Sequence, residues 1–430
     1  MNNPFIVGNP APADKFINRK GEIRRAVSLL RSGQSLAFTG EPRSGKTSLL
    51  LYLQNPAKRN LYGDAGARLV FYYADSQTWP EDLSPARFWE RVLSSLRQEI
   101  ESDPALLESY RVCQQENYGT FVLEQFIARL REARWHLVLL LDEFDALLQY
   151  PLLNHTEFYG GLRSLASRYG EALTLVIGSR RSLSDLNERT QEYAGTGSPS
   201  FNFVREIPLP PFTKKDGEAI LKQAGGRFTH AERRSILYLA GGHPYLLQIA
   251  GDALWNGHED GLKHDKRLHY VGKELLRVAD GGLRDIWRNW TPEMHKVFAI
   301  VALDEMPRLL NKRGFNLKAL LKELKSRPRE VRQLISKGFI EAEEIPAGRL
   351  MSGYKTTAQV MLWWLAEELL AALRREDDLG QCLMREEWLG YLKRGERDKL
   401  VKAVQGLGKM AQAGAMTFIQ AAAAKWGAGL

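Results

Sequence analysis

Ser35-Leu36-Ala37-Phe38-Thr39-Gly40-Glu41-Pro42-Arg43-Ser44-Gly45-Lys46-Thr47-Ser48-Leu49-Leu50 decides the fold. Gly40 to Thr47 follows the pattern G-x-x-x-x-G-K-[ST]. Glycines at the two ends let the backbone wrap with its N–H groups turned inward, onto a phosphate at a helix N-terminus. Ser35 to Thr39 is a short apolar run that reads as a strand, and Ser48-Leu49-Leu50 begins a helix. Gly40, Pro42, Arg43, Ser44, Gly45, Lys46, Thr47 and Ser48 are therefore the expected phosphate-binding set. In this pattern the lysine reaches the β- and γ-phosphates and the Thr47 hydroxyl faces Mg²⁺.

Working outward, four more short apolar runs occur at 68–74, 136–141, 172–178 and 202–209. Continuous runs of this length fit strands buried on both faces. Between them lie helical patterns. Phe158, Leu162, Leu165 and Tyr169 fall at i, i+4, i+7 and i+11, one face of a helix. Strands alternating with helices imply an α/β fold, a parallel sheet sandwiched by helices. Such sheets bind ligands at the carboxyl ends of their strands. The run Leu137-Val138-Leu139-Leu140-Leu141 ends in Asp142 and Glu143. Asp142 is expected in the Mg²⁺ shell, and Glu143 as the group that orients or activates the attacking water. Asp145 reads as a helix cap. The run at 172–178 continues into Ser179-Arg180-Arg181. Ser179 is expected beside the γ-phosphate or water, and Arg180 or Arg181 as the cation that stabilises developing charge.

After residue 210 the pattern changes. Prolines at 208, 210 and 211 close the sheet region. Residues 213–290 read as short helices joined by glycine turns at Gly225-Gly226, Gly241-Gly242 and Gly281-Gly282. Residues 291–373 read as helices over 292–303, 315–325 and 328–337, a strand pair near 338–344 and 349–355, and a last helix through Trp363 and Trp364. That is the order of a winged helix. The boundaries are thus 1–210 for the ATPase domain, 211–290 for an all-α lid, 291–373 for the winged helix and 374–430 for a helical Ala/Gly-rich tail.

The three motifs, in this order, resemble the P-loop ATPases of the additional-strand group, the AAA+ class and its STAND relatives. Two further segments resemble bacterial AAA-like STAND ATPases. Asn3-Pro4-Phe5 and Phe16-Ile17-Asn18-Arg19-Lys20-Gly21-Glu22 are similar to that family's N-terminal box, which packs beside adenine. Asn18 stands where the family usually has glycine. Gly241-Gly242-His243-Pro244 looks like the G-x-P motif of the STAND helical domain. The resemblance implies that Phe5, Arg19 and Pro244 line the base, and that His243 either faces the phosphates or caps its helix. It also implies ATP or ADP with Mg²⁺ as cofactors and slow hydrolysis. It further implies a nucleotide-dependent homo-oligomer that answers to an unknown protein trigger or effector.

Charge supplies a second reading. The 430 residues carry 60 Lys+Arg and 51 Asp+Glu, a net +9. Residues 305–339 hold ten Lys/Arg against three acids. Arg327, Arg329 and Arg332 lead the list of expected DNA contacts, with the third helix in a major groove. A solvated basic face, or one docking on the nucleotide domain, is the other reading of the same charge. Trp363 and Trp364 read as the core face of the last helix. Two cysteines, 269 positions apart, exclude a disulfide framework or a cysteine metal site and suit a reducing compartment. No leader pattern opens the chain and no run reaches the ~18 apolar residues of a spanning helix. The expectation is a cytoplasmic chain without a stable membrane span. Residues 401–430 contain nine Ala, five Gly and no acid. They read as a helix packed on the chain or a neighbouring subunit, a poorly ordered end, or a membrane-active element.

Overall fold

The computed structural model describes residues 2–190, 195, 199–309, 318–344 and 352–375, with 398–399, 401–402 and 404–406 beyond them. Nearly all of the Ala/Gly-rich tail, and the starts of the helix expected at 315 and the strand expected at 349, lie outside the described residues. The chain divides into two compact units. One holds residues 10–41 and 45–209 and carries the sheet. The other holds 1–9, 42–44 and the chain from 210 onward.

The sheet unit has five parallel strands: β1 (Leu36–Thr39), β2 (Leu69–Asp75), β3 (His136–Asp142), β4 (Leu173–Ser179) and β5 (Arg205–Pro208). Their order across the sheet is β2-β3-β4-β1-β5. Helices α1 (Lys20–Arg31) and α2 (Lys46–Gln54) come first in the chain. Next come α3 (Pro85–Ser94), α4 (Pro104–Gln115) and α5 (Thr120–Glu132), then α6 (Thr156–Arg168) and α7 (Leu183–Glu188). Each of the five apolar runs forms a strand.

The continuous apolar runs have a direct physical cause. Successive strand residues face opposite sides of the sheet, and both sides are covered. On β3, Leu137, Leu139 and Leu141 enter one core, with Phe88, Phe126 and Leu162. Val138 and Leu140 enter the other, with Ala26, Leu30, Leu49 and Leu53 of α1 and α2. Phe158, Leu162 and Leu165 of α6 are buried as the periodicity requires, while Tyr169 packs at the edge of that core. Each fully buried leucine contributes about 1.5–3 kcal/mol, so β3 is held from both faces.

The second unit is helical as far as residue 309. Its helices are α8 (Lys214–Leu221), α9 (His230–Ala240), α10 (Pro244–Glu259), α11 (His264–Arg288) and α12 (Pro292–Leu309). Capping boxes start α8 at Thr213/Asp216 and α9 at Thr229/Glu232. They are followed by α13 (Lys318–Lys325), α14 (Pro328–Ser336), an antiparallel pair of β6 (Ile340–Ala342) with β7 (Tyr354–Thr356), and α15 (Gln359–Arg375). Trp363 and Trp364 are buried as expected.

One glycine pair breaks the sequence reading. Gly281 and Gly282 do not make a turn; they lie inside the 25-residue helix α11. A Cβ at Gly282 would stand 2.5 Å from the Tyr245 ring. Close approach of an aromatic side chain, not a change of direction, sets glycine there. Among the described residues no helix is long and apolar enough to cross a membrane.

Candidate nucleotide site at the strand ends

The loop between β1 and α2 carries the phosphate motif. Gly45 precedes α2 with φ +95°, a left-handed conformation that glycine adopts without strain. The Gly40 N–H donates to the Ser179 carbonyl at 3.2 Å, tying the start of the loop to β4, whose Ser179 pairs with Thr39. Lys46 is buried, and its ammonium donates to the carbonyls of Gly40 at 3.1 Å and Glu41 at 3.0 Å. An ammonium has three N–H donors, so one remains for an incoming phosphate oxygen. Burial lowers the Lys46 pKa, and Glu143, Asp142, Glu41 and Asp145 pull it back. The lysine thus feels the acids at the end of β3, two strands away from β1, as well as Glu41 of its own loop. Ser48 is engaged elsewhere: its hydroxyl accepts the Ala11 N–H at 2.9 Å. Thr47, the second residue of α2, is half-buried beside Lys46.

At the end of β3, Asp142 is 1% exposed. Its Oδ1 accepts the Glu143 N–H at 3.0 Å, and its Oδ2 accepts the Tyr73 hydroxyl at 3.1 Å. Burial, with Asp142 next, raises the Tyr73 pKa, so the phenol stays a donor. A Cβ at Gly178 on β4 would stand 2.6 Å from Asp142 Oδ1, so glycine is what lets the carboxylate occupy this place. Glu143 adopts φ +47°, a strained conformation for a residue with a side chain. Its Oε2 accepts from Arg180 Nε at 2.7 Å. The acid expected to orient water and the arginine expected to stabilise charge are therefore paired with each other.

Asp145 is not a helix cap. Its Oδ1 accepts from the Ser179 hydroxyl at 3.3 Å and the Arg180 N–H at 3.2 Å, joining the ends of β3 and β4. Ser179 is fully buried, and its oxygen also accepts the Arg181 N–H at 3.0 Å. The hydroxyl is thus turned into the strand-end network. Arg19 is buried in a left-handed turn with Asn18, φ +59° and +67°, and pairs with Glu22 at 3.1 Å. Asparagine is the residue that best tolerates this conformation after glycine. The turn survives the exchange noted in the sequence.

The other expected residues lie in the helical unit. Phe5 is buried there: its ring stacks on Phe228 at 5.6 Å and fills the space that a Cβ at Gly251 would need. Asn3 donates to Asp252 at 2.8 Å, and the Ile6 N–H donates to Gln248 at 3.0 Å. The segment is a strap fixed to α10. Pro244 is the first residue of α10, and His243 precedes it, buried, 6.1 Å from Phe339 and making no capping bond with its side chain. Arg43 has φ +61° and lies 4.5 Å over the Tyr245 ring, with Asp285 at 3.7 Å. Arg327 pairs with Glu293 and Glu323, each at 2.6 Å. Arg329 and Arg332 are exposed on α14.

The donor set suits Mg²⁺. It consists of a hydroxyl and a carboxylate, both hard oxygen ligands, and Mg²⁺ takes few protein ligands because it keeps waters and phosphate oxygens. Among the described residues no group of three or more His, Cys, Asp or Glu could hold a metal by itself. The clearance at Gly178 keeps Asp142 at the strand end where such a ligand is needed.

Residues 9–263 match the profile of a family described as an AAA-like domain. Among solved structures, a Walker-type ATPase of Pyrococcus abyssi superposes with a TM-score of 0.52 at 16% identity, covering 84% of this chain and 99% of that one. The ORC2 protein of Aeropyrum pernix, in ADPNP–ADP complexes, gives 0.46 at 14% identity over 96% and 98%. A STAND protein with a tetratricopeptide repeat sensor from Pyrococcus horikoshii gives 0.34 at 15% identity over 83% and 45%. No curated protein matches the chain. The first of these likenesses is one of fold.

Proposed function

From the premise that this chain belongs to the AAA-like domain family, we propose that it is an ATP-binding, slowly hydrolysing molecular switch. The observation that carries the reading is Lys46, buried at the start of α2 with a free donor and with Asp142 and Glu143 among the charges acting on it. The loop N–H groups and Lys46 bind the phosphates. Thr47 and Asp142 hold Mg²⁺, which supplies charge neutralisation on the phosphates when bound. Glu143 accepts a hydrogen bond from the attacking water, once Arg180 no longer holds it. The resting Glu143–Arg180 pair supports low turnover. Pro244 and His243 belong to an all-α lid over 211–290, and 291–373 is a winged helix. Nucleotide state controls opening and oligomerisation of a cytoplasmic protein in signalling or defence, with the trigger supplied in trans. The test is direct nucleotide binding by wild type and Lys46→Ala. Tight ATP binding by the variant sinks the assignment.

A second reading has its own support. Arg329 and Arg332, at i and i+3 on the third helix of the 291–373 segment, are solvent-exposed. That is the arrangement of a helix that contacts phosphates or base edges. A DNA-binding ATPase using this helix predicts salt-dependent duplex binding that responds to ATP.

A further inference from the structure

Asp142 is the buried acid of the site, and its two oxygens have different holders. Oδ1 takes the backbone N–H of the next residue at 3.0 Å. Oδ2 takes the hydroxyl of Tyr73 at 3.1 Å, from a residue 69 positions earlier in the chain. Among the described residues, Tyr73 is the side chain that hydrogen-bonds Asp142. Tyr73 lies on β2 opposite Leu140, two positions before the pairing of Asp75 with Asp142. On the Oδ1 side the carboxylate is closed in by β4, where even a methyl group at Gly178 would collide with it. The carboxylate is therefore gripped between a wall and a donor. Each carboxylate oxygen has two lone-pair sites, so each keeps one for another partner. A buried carboxylate with one donor per oxygen and a fixed plane is built to present a lone pair without reorganising.

We propose that Tyr73 is a positioning residue for the metal: its hydroxyl holds Asp142 Oδ2 so that the carboxylate meets Mg²⁺ already oriented. The inference rests on the nucleotide-site reading above. It adds a residue on β2 to a site otherwise drawn from the ends of β1, β3 and β4. Partners that hold a metal ligand by its second oxygen set ligand orientation, and their loss typically costs 10–100-fold in metal affinity.

Tyr73→Phe in the full chain tests it. The ring stays, so strand packing is kept, and only the donor is removed. Binding of a fluorescent ATP analogue is measured twice, in EDTA and across a Mg²⁺ titration. The expected result is an unchanged affinity in EDTA, with the Mg²⁺ midpoint raised at least about tenfold. Thermal unfolding without Mg²⁺ separates this from a purely structural role, which would lower the melting temperature without moving the midpoint. A wild-type midpoint in the variant overturns the inference. Equal losses with and without Mg²⁺ also overturn it, because the hydroxyl would then shape the phosphate loop in general. A wild-type protein whose nucleotide affinity ignores Mg²⁺ overturns the reading of the site itself, and this inference with it.

Discussion

Asp142 in the sheet unit and Glu232 in the helical unit are both buried carboxylates, 1% and 0% exposed. Their surroundings are opposite. Glu232 accepts from the Thr229 N–H at 2.8 Å and the Thr229 hydroxyl at 3.0 Å on one oxygen. The other oxygen takes Arg267 Nε at 3.0 Å and Nη2 at 2.8 Å, with the His258 and His264 rings at 3.3 and 3.5 Å. Burial pushes its pKa up, but the Thr229 N–H, Arg267, the Thr229 hydroxyl and His258 outweigh it and hold the carboxyl at about 2. Glu232 is saturated and pins α9 to α11. Asp142 has one donor per oxygen. Glu305 is held in a related way, Oε2 taking the Thr356 N–H and hydroxyl at 2.8 Å each and Oε1 taking Gln359 at 3.0 Å. Glu232, with two or more donors on each oxygen, holds structure, whereas Asp142, with one donor per oxygen at a strand end, keeps lone pairs for the proposed ligand.

The largest effect on binding tests the site half of that contrast. Lys46→Ala removes the buried ammonium at the loop, and ATP affinity is expected to fall by roughly 100-fold, the size of a lost charge-assisted contact, while the far-UV spectrum is unchanged. Retention of nucleotide by the variant, measured by calorimetry, would mean that the spare donor of Lys46 is not aimed at a ligand. Next, Glu143→Gln keeps the shape and loses the base. ATP should bind about as in the wild type, while single-turnover hydrolysis slows by roughly 10²–10³-fold. A variant that hydrolyses normally would place the base elsewhere.

The structural half is tested by Glu232→Gln. The sign follows from the depressed pKa. The carboxylate contributes stability above its unfolded value near 4.5, and the contribution disappears as pH falls through about 2. A shift of this size is on the order of 3 kcal/mol. Urea unfolding at pH 7 should show a deficit of that order in the variant, and the gap to wild type should narrow between pH 4.5 and 2. A gap that stays constant down to pH 2 would mean that the shift is not what stabilises the fold.

The contrast also explains what could be read in advance. Three of the five strands, β1, β3 and β4, were legible because they are buried on both faces, so their apolar runs are unbroken. The loop and the acids Asp142 and Glu143 were legible because their chemistry is local in the chain. Tyr73 and Asp145 were not. Their partners, Asp142 and Ser179, lie 69 and 34 positions away, and a tyrosine inside an apolar strand looks like core. Gly282 misled for a related reason: glycine as punctuation and glycine as clearance for Tyr245 look the same in a string of letters.

Arg327 shows the same limit in the basic segment and leads to the smallest expected effect. Counted by composition it is one of ten cations, yet it is held by Glu323 within the counted stretch and by Glu293 outside it. Burial, which lowers its pKa, is outweighed by those two acids, which raise it. Arg329 and Arg332 point to solvent on the same helix. If this helix binds duplex DNA, replacing the exposed pair with alanine removes two phosphate contacts. The slope of log affinity against log salt should then become shallower by about 2. Arg327→Ala should leave the slope untouched and instead cost about 1 kcal/mol of stability, as loss of a part-buried ion-pair network does. Fluorescence anisotropy across a salt series, with urea unfolding in parallel, separates the two. A slope that responds to Arg327 but not to the exposed pair would invert the division between structural and available charge and remove the DNA reading's support.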